Sequence, residues 1–510
     1  MKALKTTEMA MPAAAKTVTP TAMPVSVEMA MPAEQSPKEK VILTVKIVLL
    51  ALAAAAVISA VNVINPLISI GLALLCALML YMTTKPVYSI ILLILATPFS
   101  ATSLLDSQIA GIPGMKAANL LAMAAVGFLI MKKKPARLSG EDQVFIYGLL
   151  ILFTAAVLRS TAYIGETYDM IWSDQYSLMR YLLSNLIKPL LIFLPFILIS
   201  IFVRSKEEIH KIILSLLFSI LLLSAAVLVL YAFFTPNKLN FEEVRVGFSQ
   251  VLGMHNNNLA DFYIAVYPVL LAYAISKKSW FWGMGVFMSL AAIGVIYSRS
   301  AYFVVIVCTF AFFILSHRAK LLPWVGAASL VSVFFIPRSI IERALTGLSN
   351  NDISAISAGR VDRIWLPLLE EFMDKPLNLL IGAGRYAIMG SDSFKSGAIL
   401  QVGHAHSMYL DLLLDAGLIG LLFFLVFFFR FLMRFIRTHR FVEDRLFLDI
   451  LIGIEISVVA FMVRGITDSF FFPALTNAFL WINLGLGVSI TYLARARKAG
   501  DRYEAGSYDQ

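Results

Sequence analysis

Only two cysteines and six histidines occur among 510 residues, and charged side chains make up 15% of the chain. Cys76 and Cys308 each fall inside an apolar run, which excludes a disulfide framework and a thiolate metal cluster and leaves them as packing residues. The H-x-x-H and paired D-x-D spacings of a specific metal site are missing, and "GAGR" (from Gly382) is too short for a nucleotide fingerprint. A site without metal or cofactor is expected. The first 40 residues repeat "EMAMPA" at Glu8 and Glu28 and lack the apolar core of a signal peptide. They read as a disordered cytoplasmic tail, 1–40.

What is present in abundance is apolar surface: 59% of the residues are hydrophobic, far above an ordinary soluble domain. Runs such as "KIILSLLFSILLLSAAVLVLYAFF" (from Lys211) can cross a hydrocarbon core about 30 Å thick. Backbone groups in lipid must bond within their own segment, so the runs read as helices. The expectation is an all-α, polytopic membrane helix bundle of about 14 (about 12 to 14) transmembrane helices. Spans begin near Val41, Leu67, Val87, Ala117, Val144, Tyr181, Lys211, Leu259, Trp280, Ala301, Leu321, Ser407, Phe447 and Thr476. The first eleven form a bundle over 41–336, an ordered extracytoplasmic cap loop follows over 337–405, and the last spans and a short cytoplasmic tail occupy 406–493 and 494–510.

The net charge of +10 is explained by topology. Basic clusters at "KKKPAR" (from Lys132), "RSKEEIHK" (from Arg204), "SKK" (from Ser276), "HRAK" (from His317), "RFLMRFIRTHR" (from Arg430) and "ARARK" (from Ala494) all fall on the N-terminal side of the bundle. That side is therefore cytoplasmic, and nucleic acid is not an expected partner. On the opposite side "TYDMIWSDQYSLMRYL" spaces Tyr168, Ile171, Trp172, Tyr176 and Met179 for one face of an interfacial helix, with a plain connection as the alternative. In the long loop, Trp365, Leu368, Leu369 and Phe372 mark an amphipathic helix.

The histidines sort by side. His210, His317 and His439 accompany the basic clusters and read as solvated; His255, His404 and His406 lie opposite, together with Arg245, Arg299, Arg360 and Arg363. Arg299, in the short turn "YSRSAY", sits at a depth where a charge needs a partner. It either snorkels or pairs with an acid, or it joins the other guanidinium forks in binding an anion such as a diphosphate. In "GHAHSMYLDLLLDAGLIGLL" (from Gly403), His406 stands where a helix begins, and the positive end of that helix favours a neutral ring. It is a candidate general base or a helix cap; His404 is a neighbour, and Asp411 and Asp415, four apart, are expected to orient polar partners.

"HSMYLDLLLDAGLIG", with His406, Ser407, Leu410, Gly417 and Gly420, resembles the C-terminal motif of the O-antigen ligase and polymerase superfamily. Ser407 stands where that family commonly has Asn, which leaves open how His406 is held. Further likenesses follow in the family's order, from Arg245 to Pro473: Arg245, Gly247, Asn258, Leu259 and Ala260; Ser298 and Arg299; Gly359, Arg360, Trp365, Pro376, Gly382 and Gly384; and "GITDSFFFP" with Asp468. The resemblance implies a membrane glycosyltransferase of the integral-membrane C type in the bacterial inner membrane, with its site facing the periplasm. Its donor would be a polyprenyl-diphosphate-linked glycan and its acceptor a hydroxyl on a glycan or lipid A core. Carried over, Arg245, Arg299 and Arg360 bind the diphosphate and His406 deprotonates the acceptor for inverting attack, with Arg363, His404, Ser407, Asp411 and Asp468 in support.

Both an O-antigen or exopolysaccharide polymerase and an O-antigen ligase fit these motifs, the long cap and high span count leaning towards the polymerase. Membrane lipid is a partner on either reading, and a chain-length regulator or flippase is a further partner type. The competing class is a transporter of lipid-linked glycan or of a small anion, which predicts paired repeats and a polar site at mid-membrane. No internal repeat is found, and the polar groups collect at one face.

Overall fold

The computed structural model describes residues 81–507 except 83, 103–116, 133–134, 136–137, 172–175, 236–239, 334–340, 342–358, 401 and 468–470. The expected N-terminal tail, the spans from Val41 and Leu67, Cys76 and Asp468 lie outside the described residues, as does the first part of the expected cap loop. Every described element is helical. In chain order they are α1 (Val87–Ala96), α2 (Ala117–Lys132), α3 (Gly140–Ser160), α4 (Ile164–Ile171), α5 (Leu178–Phe202), α6 (Lys206–Phe234), α7 (Phe241–Leu252), α8 (Asn256–Lys277), α9 (Trp280–Ile296), α10 (Arg299–Leu315) and α11 (Leu322–Val333). A π-helical turn (Val361–Trp365) and four short helices follow: α12 (Leu366–Met373), α13 (Pro376–Ile381), α14 (Ala387–Gly390) and α15 (Asp392–Lys395). The chain closes with α16 (Met408–Thr438), α17 (Arg445–Arg464) and α18 (Ala478–Ser507).

Seven of these helices, α3, α5, α6, α8, α16, α17 and the first part of α18, are long and apolar enough to cross a membrane; α1, α2, α9 and α10 are shorter apolar helices. They coincide with expected span starts, and α11 meets the one near Leu321 for as far as it is described. The chain is a multi-pass membrane protein. Of the two readings of the stretch around Tyr176, the single interfacial helix fails: Tyr176 and Ser177 lie outside any helix and α5 starts afresh at Leu178, while the Tyr168 and Tyr176 rings pack edge to face at 5.5 Å. A second expectation fails at the basic end, where His439 is bonded to the buried Glu455 (2.6 Å) rather than merely solvated. A carboxylate at that depth needs a partner, and the end of α16 brings the nearest imidazole to it.

α8 and α17 form the centre of the bundle, with α8 buried on nearly all sides. Pro268 interrupts the α8 hydrogen-bond ladder, and the nearby carbonyl of Ala265 accepts from Ser457 Oγ (2.7 Å) and Asn483 Nδ2 (2.6 Å). The backbone disturbance thus becomes a three-helix contact.

α16 holds the second disturbance. Gly417 has φ 71° and ψ −175°, which splits the element into two rods. The carbonyls of Leu414 and Asp415 lose their helical donors at this break and accept instead from the N–H groups of Ala383 (2.8 Å) and Gly384 (3.0 Å). Gly382, at φ 77°, lies directly against Gly417, and a Cβ on either would strike the backbone of the other segment. The same loop continues into Arg385, whose N–H donates to Ala156 O (2.7 Å) and whose guanidinium is buried against Asp415 (2.9 Å). Asp415 also accepts from Ala387 N (3.0 Å). The loop is in this way bonded into the bundle at every turn.

Leu368 and Phe372 bury the inner face of α12, as their spacing predicts. Glu371, on the same helix, accepts from Lys375 Nζ (2.8 Å) and from the N–H groups of Asp392 and Ser393 (2.9 Å each), which anchors the start of α15. Burial pushes its carboxyl pKa up, but Lys375 and the two backbone donors outweigh this and hold it below the ordinary range. A carboxyl lowered in the folded state contributes stability above its unfolded pKa and loses it as pH falls through the folded value. Hydrogen-exchange protection of the Asp392 and Ser393 amides should therefore fall below about pH 4 and be independent of pH in Glu371→Gln; equal profiles would refute the assignment. Gly417→Ala should lower the apparent unfolding temperature in detergent, corresponding to a cost on the order of 1–3 kcal/mol, and an unchanged temperature would show that the break tolerates a side chain.

Candidate active site

The turn before α16 is fixed from both sides. Ser407 is the N-cap, its Oγ accepting from Leu410 N (3.5 Å), and Asp411 in the first turn reaches back to accept from Ala405 N–H (2.7 Å). On the other side of the same residue, Trp365 Nε1 donates to Ala405 O (2.7 Å). Both polar groups of one residue are thereby bonded between two histidines. His406 takes a left-handed conformation, φ 54°, and its N–H donates to His404 Nδ1 (3.2 Å); the two rings lie 4.1 Å apart. His406 Nδ1 is buried. His406 thus precedes the cap instead of occupying it, and the question raised by Ser407 is answered by His404, Asp411 and Trp365.

The segments bearing Arg299 and Arg360 are bonded to this turn. Met408 N–H donates to Gly465 O (2.7 Å), and two residues later Thr467 O accepts from Arg360 Nη1. Arg464 at the end of α17 donates from Nε to Asp261 Oδ1 (3.0 Å) on α8 and from Nη1 to Ser300 Oγ, beside Arg299. Arg299 opens α10, whose N-cap Ser298 donates to Asn257 Oδ1 (3.1 Å), while Asn256 Nδ2 donates to Ile296 O (2.8 Å). The "HNNNLAD" and "YSRSAY" segments are consequently neighbours in space. His255 is accounted for as the cap of α8, its Nδ1 accepting from Asn257 N (3.2 Å).

Two expected arginines stand apart from these bonds. Arg245 pairs with Glu242 (3.0 Å) on α7, and Arg363 is exposed, its N–H donating to Gly359 O (3.1 Å) and its carbonyl accepting from Leu400 N (3.4 Å). Asp411 and Asp415, which looked equivalent, hold different segments. Sequence reasoning missed Arg464, Asp261 and Arg385. Asp261 carried a usable signal, an acid inside an otherwise apolar span, which requires a cation from another helix.

The two histidine rings are thus held on a turn that is bonded to the arginine-bearing segments. Trp365→Phe keeps the ring but removes the donor to Ala405, so turnover should fall roughly tenfold with the unfolding temperature nearly unchanged. Full turnover in that variant would mean that Asp411 alone fixes the turn.

Residues 284–425 match the family model described as O-antigen ligase. That region includes the α9–α10 turn, the described short helices and the histidine turn up to the start of the lower α16 rod. A search of curated proteins finds no match. In this region the chain is therefore similar to the O-antigen ligase family.

Proposed function

We propose that the protein is a membrane glycosyltransferase that moves a glycan from a polyprenyl diphosphate to an acceptor hydroxyl at the outer face of the bacterial inner membrane. The observation that supports it most is the bonded chain from the His406 turn through Gly465 and Arg464 to the Arg299 turn, and through Thr467 to Arg360. It joins a candidate base to two candidate anion-binding groups within the region of the family match.

On this reading the acceptor O–H gives its proton to the His406 ring as its oxygen attacks the anomeric carbon. The bond from that carbon to the diphosphate oxygen breaks on the opposite side, and the electron pair leaves with the diphosphate. Configuration inverts. A diphosphate is already a good leaving group, so the chemistry asks for charge stabilisation, which Arg299 and Arg360 supply as bidentate donors. Arg245, in a salt bridge with Glu242, would contribute by exchanging that partner for the donor. Asp411 and His404 orient the base, and Asp468 follows the Thr467 anchor in sequence.

His406→Ala should lower transfer about a hundredfold or more, measured with lipid-linked donor in reconstituted membranes, and parent-level transfer would sink the base assignment. Arg299→Lys keeps the charge and loses the fork; a clear rise in donor KM is expected, and an unchanged KM would leave Arg299 a structural residue. The glycan that accumulates in a deletion strain separates the two forms: single repeats left on lipid mean polymerase, and full-length chains left on lipid mean ligase.

A further inference from the structure

Arg464 is almost completely buried at the end of α17, and its side chain bonds two other helices: Asp261 on α8 and Ser300 on α10. Asp261 lies one turn after Asn257, which receives the Ser298 hydroxyl, and Ser300 is the neighbour of Arg299. The backbone leaving Arg464 meets the rest of the site within three residues, through Gly465 O to Met408 N–H and through Thr467 O to Arg360. One residue and the turn it starts therefore touch every segment to which the proposed chemistry assigns a role, apart from the Arg245 helix.

A guanidinium is suited to such a junction. Its planar fork fixes two directions at once, whereas an ammonium on a flexible stem fixes none. A buried ion pair is also a poor source of net stability, because desolvation offsets most of the attraction. Its contribution here is alignment: α17 cannot shift along its axis against α8 or α10 without breaking one arm of the fork.

We infer that Arg464 is a positioning residue that sets the spacing between the donor-binding arginines and His406, without itself touching the donor. The inference rests on the glycosyltransferase reading above. It also explains why the α9–α10 turn and the histidine turn, more than a hundred residues apart in sequence, keep one geometry.

The test uses full-length protein in nanodiscs and compares Arg464→Lys, Ser300→Ala, Ser300→Thr and His406→Ala with the parent. Turnover, donor KM, binding of a glycan-free polyprenyl diphosphate and unfolding temperature are measured. Arg464→Lys should lose about a hundredfold in kcat and bind the polyprenyl diphosphate about tenfold more weakly, at an unfolding temperature within a few degrees of the parent. Ser300→Ala removes one arm alone and should lower turnover about tenfold, with Ser300→Thr restoring it, which covers the case where the lysine variant does not fold. Parent-level turnover and binding in Arg464→Lys and Ser300→Ala, or a loss that only tracks the amount of folded protein, would overturn the inference. Parent-level turnover in His406→Ala would overturn the base assignment instead, while binding of the polyprenyl diphosphate, which needs no base, still reports on Arg464.

Discussion

The histidine turn depends on one residue that carries no chemistry of its own. Ala405 is bonded at its N–H by Asp411 and at its carbonyl by Trp365, and those two bonds decide where His404 and His406 point. The arrangement answers a general difficulty at the end of a membrane helix, where irregular backbone is tolerated only if every polar group finds a partner in the protein. Asp411 comes from within the helix and Trp365 from the loop, so two separate segments hold the turn. The left-handed His406 is a consequence, since a turn held this tightly has one way to enter the N-cap.

The same logic recurs beneath it. Gly417 frees two carbonyls, the Gly382–Arg385 loop fills them, and Asp415 neutralises the arginine that the loop brings with it. Upper α16, the short helices and the end of α3 therefore behave as one block. Gly465 O takes up that block through Met408 N–H, and Arg464 beside it reaches α8 and α10 on the other side. The candidate site sits where the two halves meet.

The helical bundle was legible because hydrocarbon imposes a length and a composition, and both are visible in a string of letters. The family likeness was legible as well over residues 284–425. What could not be read was the pairing between segments. Asp411 and Asp415 lie one turn apart in the same apolar run, and only their partners in the folded chain make one a clamp for Ala405 and the other a counter-ion for Arg385. His404 looked like a bystander because an imidazole accepting from the backbone two residues on leaves no pattern. His439 was misjudged for the converse reason, that its basic surroundings in sequence concealed a carboxylate on the next helix. Arg464 was missed because the acid it pairs with, Asp261, lies 203 residues earlier.

The break at Gly417 has a mechanical side. Spanning helices tilt when bilayer thickness changes, and a continuous α16 would turn that tilt directly into a rotation of its first residue. With Gly417 outside helical geometry between the rods, the upper one takes its bearing from the loop, while Arg430 and Arg434 tie the lower one to Asp142 on α3. The direction in which the histidine turn faces is therefore set by the loop bonded to the upper rod, and the axis of the lower rod does not dictate it.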